Sequence, residues 1–118
     1  MKMVRAAGLI SVCCMLLGAG YWHIDLTDSR PEADEVLSAA PSEIWLRFSV
    51  PPDLEQSGIA LMGTSGMVEL EELALVDSVS ISAKVVGAMV PGDYIVSWRA
   101  APHDDHGSRG RFEFTIGN

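Results

Sequence analysis

Apolar and polar side chains alternate with a period of two along several short stretches of this chain. In residues 43–49, the apolar side chains of Ile44, Leu46 and Phe48 alternate with other residues, among them Trp45. A period of two is typical of a β-strand with one buried face, so these three side chains should point into a core. Trp45 then lies on the opposite face, either partly exposed or covered by a loop. Further alternating or short apolar runs occupy residues 58–62, 79–85, 94–99 and 111–116.

Turn-forming residues separate these runs. Proline fixes φ, and glycine accepts the positive φ that tight turns need. These residues recur at 51–53, 63–66, 91–93 and 107–110. Short alternating strands at this spacing predict an all-β sandwich or barrel. Residues 67–76 leave two interpretations open, because their glutamates favour a helical turn whereas their leucines suit an edge strand. One domain, roughly residues 23–117, is the simplest organisation.

The first twenty residues predict a secretory signal peptide. Lys2 and Arg5 precede an apolar stretch at residues 6–17, and small residues follow at 18–20. The apolar stretch is shorter than the about 20 residues of a membrane span, although an uncleaved anchor is the alternative interpretation. We therefore expect residues 1–20 to be removed on export. The remaining residues, 21–118, would form the mature domain, without membrane insertion.

Charge and cysteine content narrow the function classes. The formal net charge is −8, which argues against nucleic acid as a partner, because phosphate binding needs a basic surface. The two cysteines, Cys13 and Cys14, both lie in the predicted signal peptide. The mature domain would then have neither a disulfide nor a thiolate ligand. Any metal site in it must use nitrogen, oxygen or thioether donors.

Histidine and aspartate suggest where metal chemistry could occur. The three histidines are His23, at the start of the domain, and His103 and His106, in a polar loop that also contains Asp104 and Asp105. Imidazole and carboxylate together suit Cu(II), Ni(II) or Zn(II). In an extended segment, Asp104 and His106 point to the same side, as two ligands of one ion require. A solvated turn is the alternative interpretation of this loop.

Other conspicuous side chains have structural interpretations. Trp98, Phe112 and Phe114 are assigned to the core, because aromatic residues on alternating strands usually pack. Arg99 either pairs with an acidic neighbour or is a solvated strand residue, and the sequence does not choose between the two.

Four motifs follow one another from His23 to the C-terminus. Residues 23–31 contain a histidine, a leucine three positions later and then Ser-x-Pro. Residues 40–49 read APSEIWLRFS, residues 90–99 read VPGDYIVSWR, and residues 104–116 combine Asp-x-His with Gly-x-Phe-x-Phe-x-Ile. With these motifs in this order, the chain resembles the CopC family of periplasmic copper-binding proteins over nearly the whole predicted mature domain.

The resemblance implies a seven-stranded Greek-key, immunoglobulin-like β-sandwich with one Cu(II) site at one end. Carried over by motif, the ligands would be His23, Asp104 and His106. Two imidazoles and a carboxylate supply most of the tetragonal nitrogen and oxygen set that a d⁹ ion favours. Two positions depart from the family pattern: Asp105 replaces the usual glycine between the aspartate and the histidine, and Val50 replaces an acid that often follows Phe-Ser.

The position of His23 leaves two copper arrangements open. In the family, the amine and imidazole of a first-position histidine chelate copper, but cleavage after Gly20 suits signal peptidase better and leaves His23 third. Either His23 joins the two loop ligands, or the Tyr21 amine, two backbone amides and His23 form a square-planar nitrogen site. We favour the first arrangement, because the loop residues otherwise lack a role.

By this resemblance, the chain is expected to be a periplasmic Cu(II) carrier or buffer in copper homeostasis or resistance, and not an enzyme. A membrane copper importer of the CopD type is a candidate partner. The alternatives are a copper-dependent oxidative enzyme with a histidine-brace-like site and a metal-free adhesion-type β-sandwich. A Cu(I) site is not expected, because Met62, Met67 and Met89 are scattered along the sequence and read as core or loop residues.

Overall fold

The protein folds as a β-sandwich of two sheets. The computed structural model describes residues 23–103 and 106–118. Within these residues it contains nine strands and one short 3-10 helix. They are β1 (Leu26–Arg30), β2 (Val36–Leu37), β3 (Glu43–Phe48), η1 (Leu54–Gln56), β4 (Gly58–Gly63), β5 (Gly66–Val68), β6 (Leu70–Asp77), β7 (Ser80–Val85), β8 (Gly92–Ala100) and β9 (Ser108–Ile116).

The strands divide into a four-stranded sheet and a five-stranded sheet. The first has the order β1-β3-β7-β6 and the second the order β2-β9-β8-β4-β5. Every pairing is antiparallel except β2 with β9, which is parallel. The predicted all-β sandwich is confirmed. The count of seven strands differs from the nine described, because β2 and β5 are segments of two and three residues that pair at the two edges of the five-stranded sheet.

The core lies between the sheets and is built by the alternation seen in the sequence. Ile44, Leu46 and Phe48 of β3 are buried, as predicted. Burial of such side chains is the main force that holds two sheets together, at about 25 cal/mol per Å² of apolar surface. The other large buried side chains come from both sheets and from the segment before β1: Ile24, Leu61, Ile81, Tyr94, Val96, Phe114 and Ile116.

Two tryptophans are half-buried, for different reasons. Trp98 packs edge-on against Phe48, with ring centroids 5.4 Å apart, and its indole also covers Gly110. It therefore bridges the two sheets near their end, and is less enclosed than a core residue. Trp45 lies on the outer face of the four-stranded sheet, and the guanidinium carbon of Arg30 stands 4.7 Å from its ring centroid. Of the two interpretations of Trp45, partial exposure is confirmed.

The ambiguous segment between Met67 and Val76 is mainly an edge strand. Within it, β6 pairs with β7 at the edge of the four-stranded sheet, with two irregularities of register. Glu72 adopts a positive φ of 54° at the first irregularity. Its carboxylate lies 3.7 Å from Lys84 Nζ, an exposed ion pair of a kind that contributes little to stability.

The predicted signal peptide, residues 1–20, lies in a part of the chain that the structure does not describe. It therefore stays a prediction. Within the ranges 23–103 and 106–118, no helix is long and apolar enough to cross a membrane.

Candidate metal centre

One end of the sandwich gathers the segments that carry the histidines. At this end β1 begins and β3 ends, because Leu26 pairs with Phe48. On the other sheet, β8 ends and β9 begins, because Ala100 pairs with Ser108. The contact between Phe48 and Trp98 shows that these two ends face one another. The segment before β1 and the loop between β8 and β9 therefore emerge on the same end of the molecule.

Hydrogen bonds with Ser49 hold the backbone around His23. The Ser49 hydroxyl donates to the His23 carbonyl oxygen at 3.3 Å and accepts from the Asp25 backbone N–H at 2.9 Å. The Ser49 N–H in turn donates to the Asp25 carbonyl oxygen at 2.9 Å. The imidazole of His23 remains exposed. The fold thus fixes where His23 leaves the sandwich and leaves its ring accessible to a ligand or an ion.

The loop between β8 and β9 is anchored at both of its ends. After β8, the Asp53 backbone N–H donates to the Ala101 carbonyl oxygen at 2.7 Å, which ties the loop to the segment after β3. Before β9, Gly107 passes so close to Ala100 that a Cβ would lie 2.7 Å from the Ala100 carbonyl oxygen. Only glycine fits that approach. The histidines between these anchors, His103 and His106, are both exposed.

Asp53 contributes a carboxylate to this end that the sequence analysis did not single out. Its Oδ2 lies 3.6 Å from Nδ1 of His103. The backbone N–H of Glu55 donates to this carboxylate at 3.2 Å and the Gln56 amide at 3.1 Å. These bonds, that of Glu55 first, hold the pKa of Asp53 below its ordinary value, and His103 adds to the effect. The signal in the sequence was an aspartate after two prolines, which is a common helix N-cap.

The structure describes two of the three predicted copper ligands. His23 and His106 are exposed residues at the same end of the sandwich. Asp104, with its neighbour Asp105, lies outside the described residues. Among the residues that are described, no group of three histidine, cysteine, aspartate or glutamate side chains is close enough to hold a metal ion. The imidazoles of His23, His103 and His106 and the carboxylate of Asp53 therefore all lie at this end, but no three of these described groups come together as a metal site.

Two methionines that are five positions apart in the sequence are neighbours in the fold. Met62 on β4 lies directly opposite Met67 on β5, and both side chains are exposed. Side chains in such a pair are about 5 Å apart at Cβ. Met89, by contrast, packs against the core. The methionines are thus less scattered than the sequence suggested, although the third does not join the pair.

Comparison with known proteins gives a relative of similar length and solved structures of similar fold. Protein YobA of Escherichia coli (strain K12) is 24% identical over 119 residues, which cover 98% of this chain and 95% of that protein. The crystal structure of PcoC, a methionine rich copper resistance protein from Escherichia coli, has a TM-score of 0.73 and 32% identity, and covers 80% of this chain and 99% of that chain.

CopC from Methylosinus trichosporium OB3b has the same fold, with a TM-score of 0.71, 24% identity, and coverage of 80% of this chain and 94% of that one. The family model for the CopC domain matches residues 26–117. That range begins with the first residue of β1 and ends one residue after β9, so it takes in both sheets and the loop between β8 and β9. With this match over most of its length, the chain belongs to the CopC family.

Proposed function

We propose that this chain is an exported, periplasmic protein that binds one Cu(II) ion through His23, Asp104 and His106, and that it carries or buffers copper rather than acting as an enzyme. Membership of the CopC family supports this function, as does the likeness to PcoC, a copper resistance protein that is 32% identical. A membrane copper importer of the CopD type is the partner that we propose for a carrier.

One observation carries the proposal: two exposed histidines from opposite ends of the domain sequence occur at one end of the sandwich. His23 precedes β1, and His106 precedes β9 on the other sheet. Imidazole nitrogens with a carboxylate oxygen form a donor set that Cu(II) prefers. Because both rings are exposed, they can bind an ion without the cost of opening the core.

The neighbours of the loop histidines distinguish between them. His103 faces the carboxylate of Asp53, which is the N-cap of η1 and therefore fixed in place. His106 stands beside Gly107, two residues after Asp104, in the Asp-x-His motif. We therefore assign the copper ligand to His106 and a positioning contact to His103.

A chelator competition measures this assignment. One equivalent of Cu(II) is added to purified protein beginning at Tyr21, and the affinity is obtained with a copper chelator of known strength. His106→Ala should weaken Cu(II) binding at least about tenfold, because it removes a ligand. His103→Ala is the matched control, another exposed histidine of the same loop, and should leave binding nearly unchanged. Equal losses in the two variants would refute the assignment.

The N-terminal alternative needs its own experiment. Mass spectrometry of the exported protein gives the first mature residue. If that residue is Tyr21, the protein with both Asp104→Ala and His106→Ala is compared with the parent. A large loss of affinity supports the three-ligand site, since the terminal tripeptide is intact in both. Unchanged affinity, with an EPR spectrum of four nitrogen ligands, would instead assign the site to the Tyr21 amine and His23.

Catalysis is tested separately from binding. The copper-loaded protein is given a reductant, and oxygen consumption is compared with that of an equal concentration of chelated copper. A carrier or buffer should not exceed this background, whereas an oxidative enzyme should do so by a wide margin.

A further inference from the structure

A cavity of about 670 Å³ opens on the outer face of the five-stranded sheet, and three arginines line it. Arg99 on β8 lies directly opposite Arg109 on β9, and Arg111 follows two residues later on the same face. All three side chains are exposed. A volume of this size is within the range of small-molecule sites.

Small residues form the floor between these arginines. Gly58 on β4 lies opposite Arg99, and Ala60 lies opposite Ser97, so no bulky side chain fills the centre. A Cβ on Gly58 would stand 3.3 Å from Nε of Arg99. The Arg99 side chain therefore folds across β4 and packs on its backbone. This packing limits the freedom of one guanidinium group and leaves the space beside it open.

Two of the three arginines are opposed across neighbouring strands, and Glu113 follows Arg111 on the same face of β9. Like charges on directly opposite residues of an antiparallel pair destabilise it, and Arg99 and Arg109 form such a pair. In the part of the chain that the structure describes, the ion pairs are those of Lys84 and His103, and none involves these arginines. The chain has only eight lysines and arginines against sixteen acidic residues. Three cations in one cavity therefore do not follow from a general excess of positive charge.

We propose that this arginine pocket, defined by Arg99, Arg109 and Arg111, binds a small multivalent oxyanion that bears carboxylate or phosphate groups. The planar guanidinium fork binds both groups through two parallel hydrogen bonds. An anion between the strands would also relieve the repulsion of the opposed pair. The negative charge of the whole chain opposes long polyanions, and the cavity has ample room for a small molecule. This inference does not rest on copper binding.

Calorimetric titration of purified protein without added copper tests the proposal. Citrate and pyrophosphate are the two probes, each at constant ionic strength set with sodium chloride. Saturable binding of either anion supports the pocket, and the anion that binds identifies the group as carboxylate or phosphate. Arg99→Gln and Arg111→Gln should each weaken that binding about tenfold, because each removes a charged hydrogen-bond donor.

Three further variants separate this pocket from other effects. Arg47→Gln removes an exposed arginine from β3 of the other sheet and should leave the affinity unchanged. His106→Ala should also leave it unchanged, which distinguishes anion binding from the copper site. Ala60→Leu fills the cavity without a change of charge and should weaken binding. A thermal melt of each variant confirms that it is folded. The absence of saturable binding with both anions, or equal losses in Arg47→Gln and Arg99→Gln, would overturn the proposal.

Discussion

Substitution of Gly110 by alanine tests the packing between the sheets near the loop end. Gly110 on β9 lies opposite Trp98 on β8. A Cβ at this position would stand 2.8 Å from Cζ2 and 3.0 Å from Cε2 of the indole. Carbon atoms pack best at about 3.5–4.0 Å, so the ring would have to move by about 0.7 Å. Phe48 restricts that movement, because its ring is in edge contact with the indole.

The expected loss of stability follows from two opposing effects. Overpacking of a well-filled site costs about 1–3 kcal/mol. Replacement of glycine by alanine lowers the entropy of the unfolded chain, which stabilises the folded state by about 0.4–1 kcal/mol. We therefore expect Gly110→Ala to reduce the free energy of unfolding by about 1 kcal/mol, which lowers Tm by about 4–8 °C in a domain of this size.

A double-mutant cycle identifies the indole as the cause. Urea unfolding is measured for Gly110→Ala in the parent protein and in a Trp98→Leu background, where the penalty should nearly vanish. Gly117→Ala is the control, because the nearest atoms to a Cβ there are 3.6 Å away. An equal loss in both backgrounds would locate the strain in the backbone, and no loss in the parent would show that the indole does not cover Gly110.

Three further predictions concern stability and copper. Trp98→Ala should lower the free energy of unfolding by about 2–3 kcal/mol. This loss is smaller than the about 3–5 kcal/mol expected for a fully buried ring, because Trp98 is half-buried. An unchanged urea midpoint would contradict its contact with Phe48. The Val79 N–H, which donates to the Asp77 carboxylate, is the first of several causes that lower the pKa of Asp77 below its ordinary value of 3.8. The stability linked to ionised Asp77 is therefore present above that ordinary value and is lost as the pH falls through the lowered pKa. Thermal melts at low pH should thus be less pH-dependent in Asp77→Asn than in the parent. Cu(II) binding should weaken as the pH falls, because imidazole ligates only when neutral. Unchanged copper affinity from about pH 7.5 to about pH 4.5 would exclude histidine ligation.

The long strands were predictable because their alternation is strong. Residues 43–49 and 111–116 contain an unbroken period of two, and their inward side chains are buried as predicted, except that Phe112 is only half-buried against the core. β2 and β5 were not predictable, because two or three residues contain no period. Trp98 was assigned to the core because the alternation places it on the inward face of its strand. The alternation does not show how near a strand position is to the open end of a sandwich.

The candidate site was only partly predictable for a related reason. The sequence identified His23 and His106 as possible ligands, but their occurrence at one end depends on which strands pair. The contact of His103 with Asp53 joins residues fifty positions apart, and a local pattern contains no such information. The arginine pocket is likewise formed by cross-strand register.

The free edge of β6 has a consequence for association between molecules. Among the described residues, no strand lies beside that edge of the four-stranded sheet. An open edge is a template for pairing with another chain, and the exposed Leu75 and Val76 would favour such pairing. The exposed carboxylates of Glu71 and Glu72 and the irregular register beside them oppose it. The glutamates that made this segment hard to recognise as a strand thus also oppose the pairing of this sheet edge with another molecule, and so oppose aggregation.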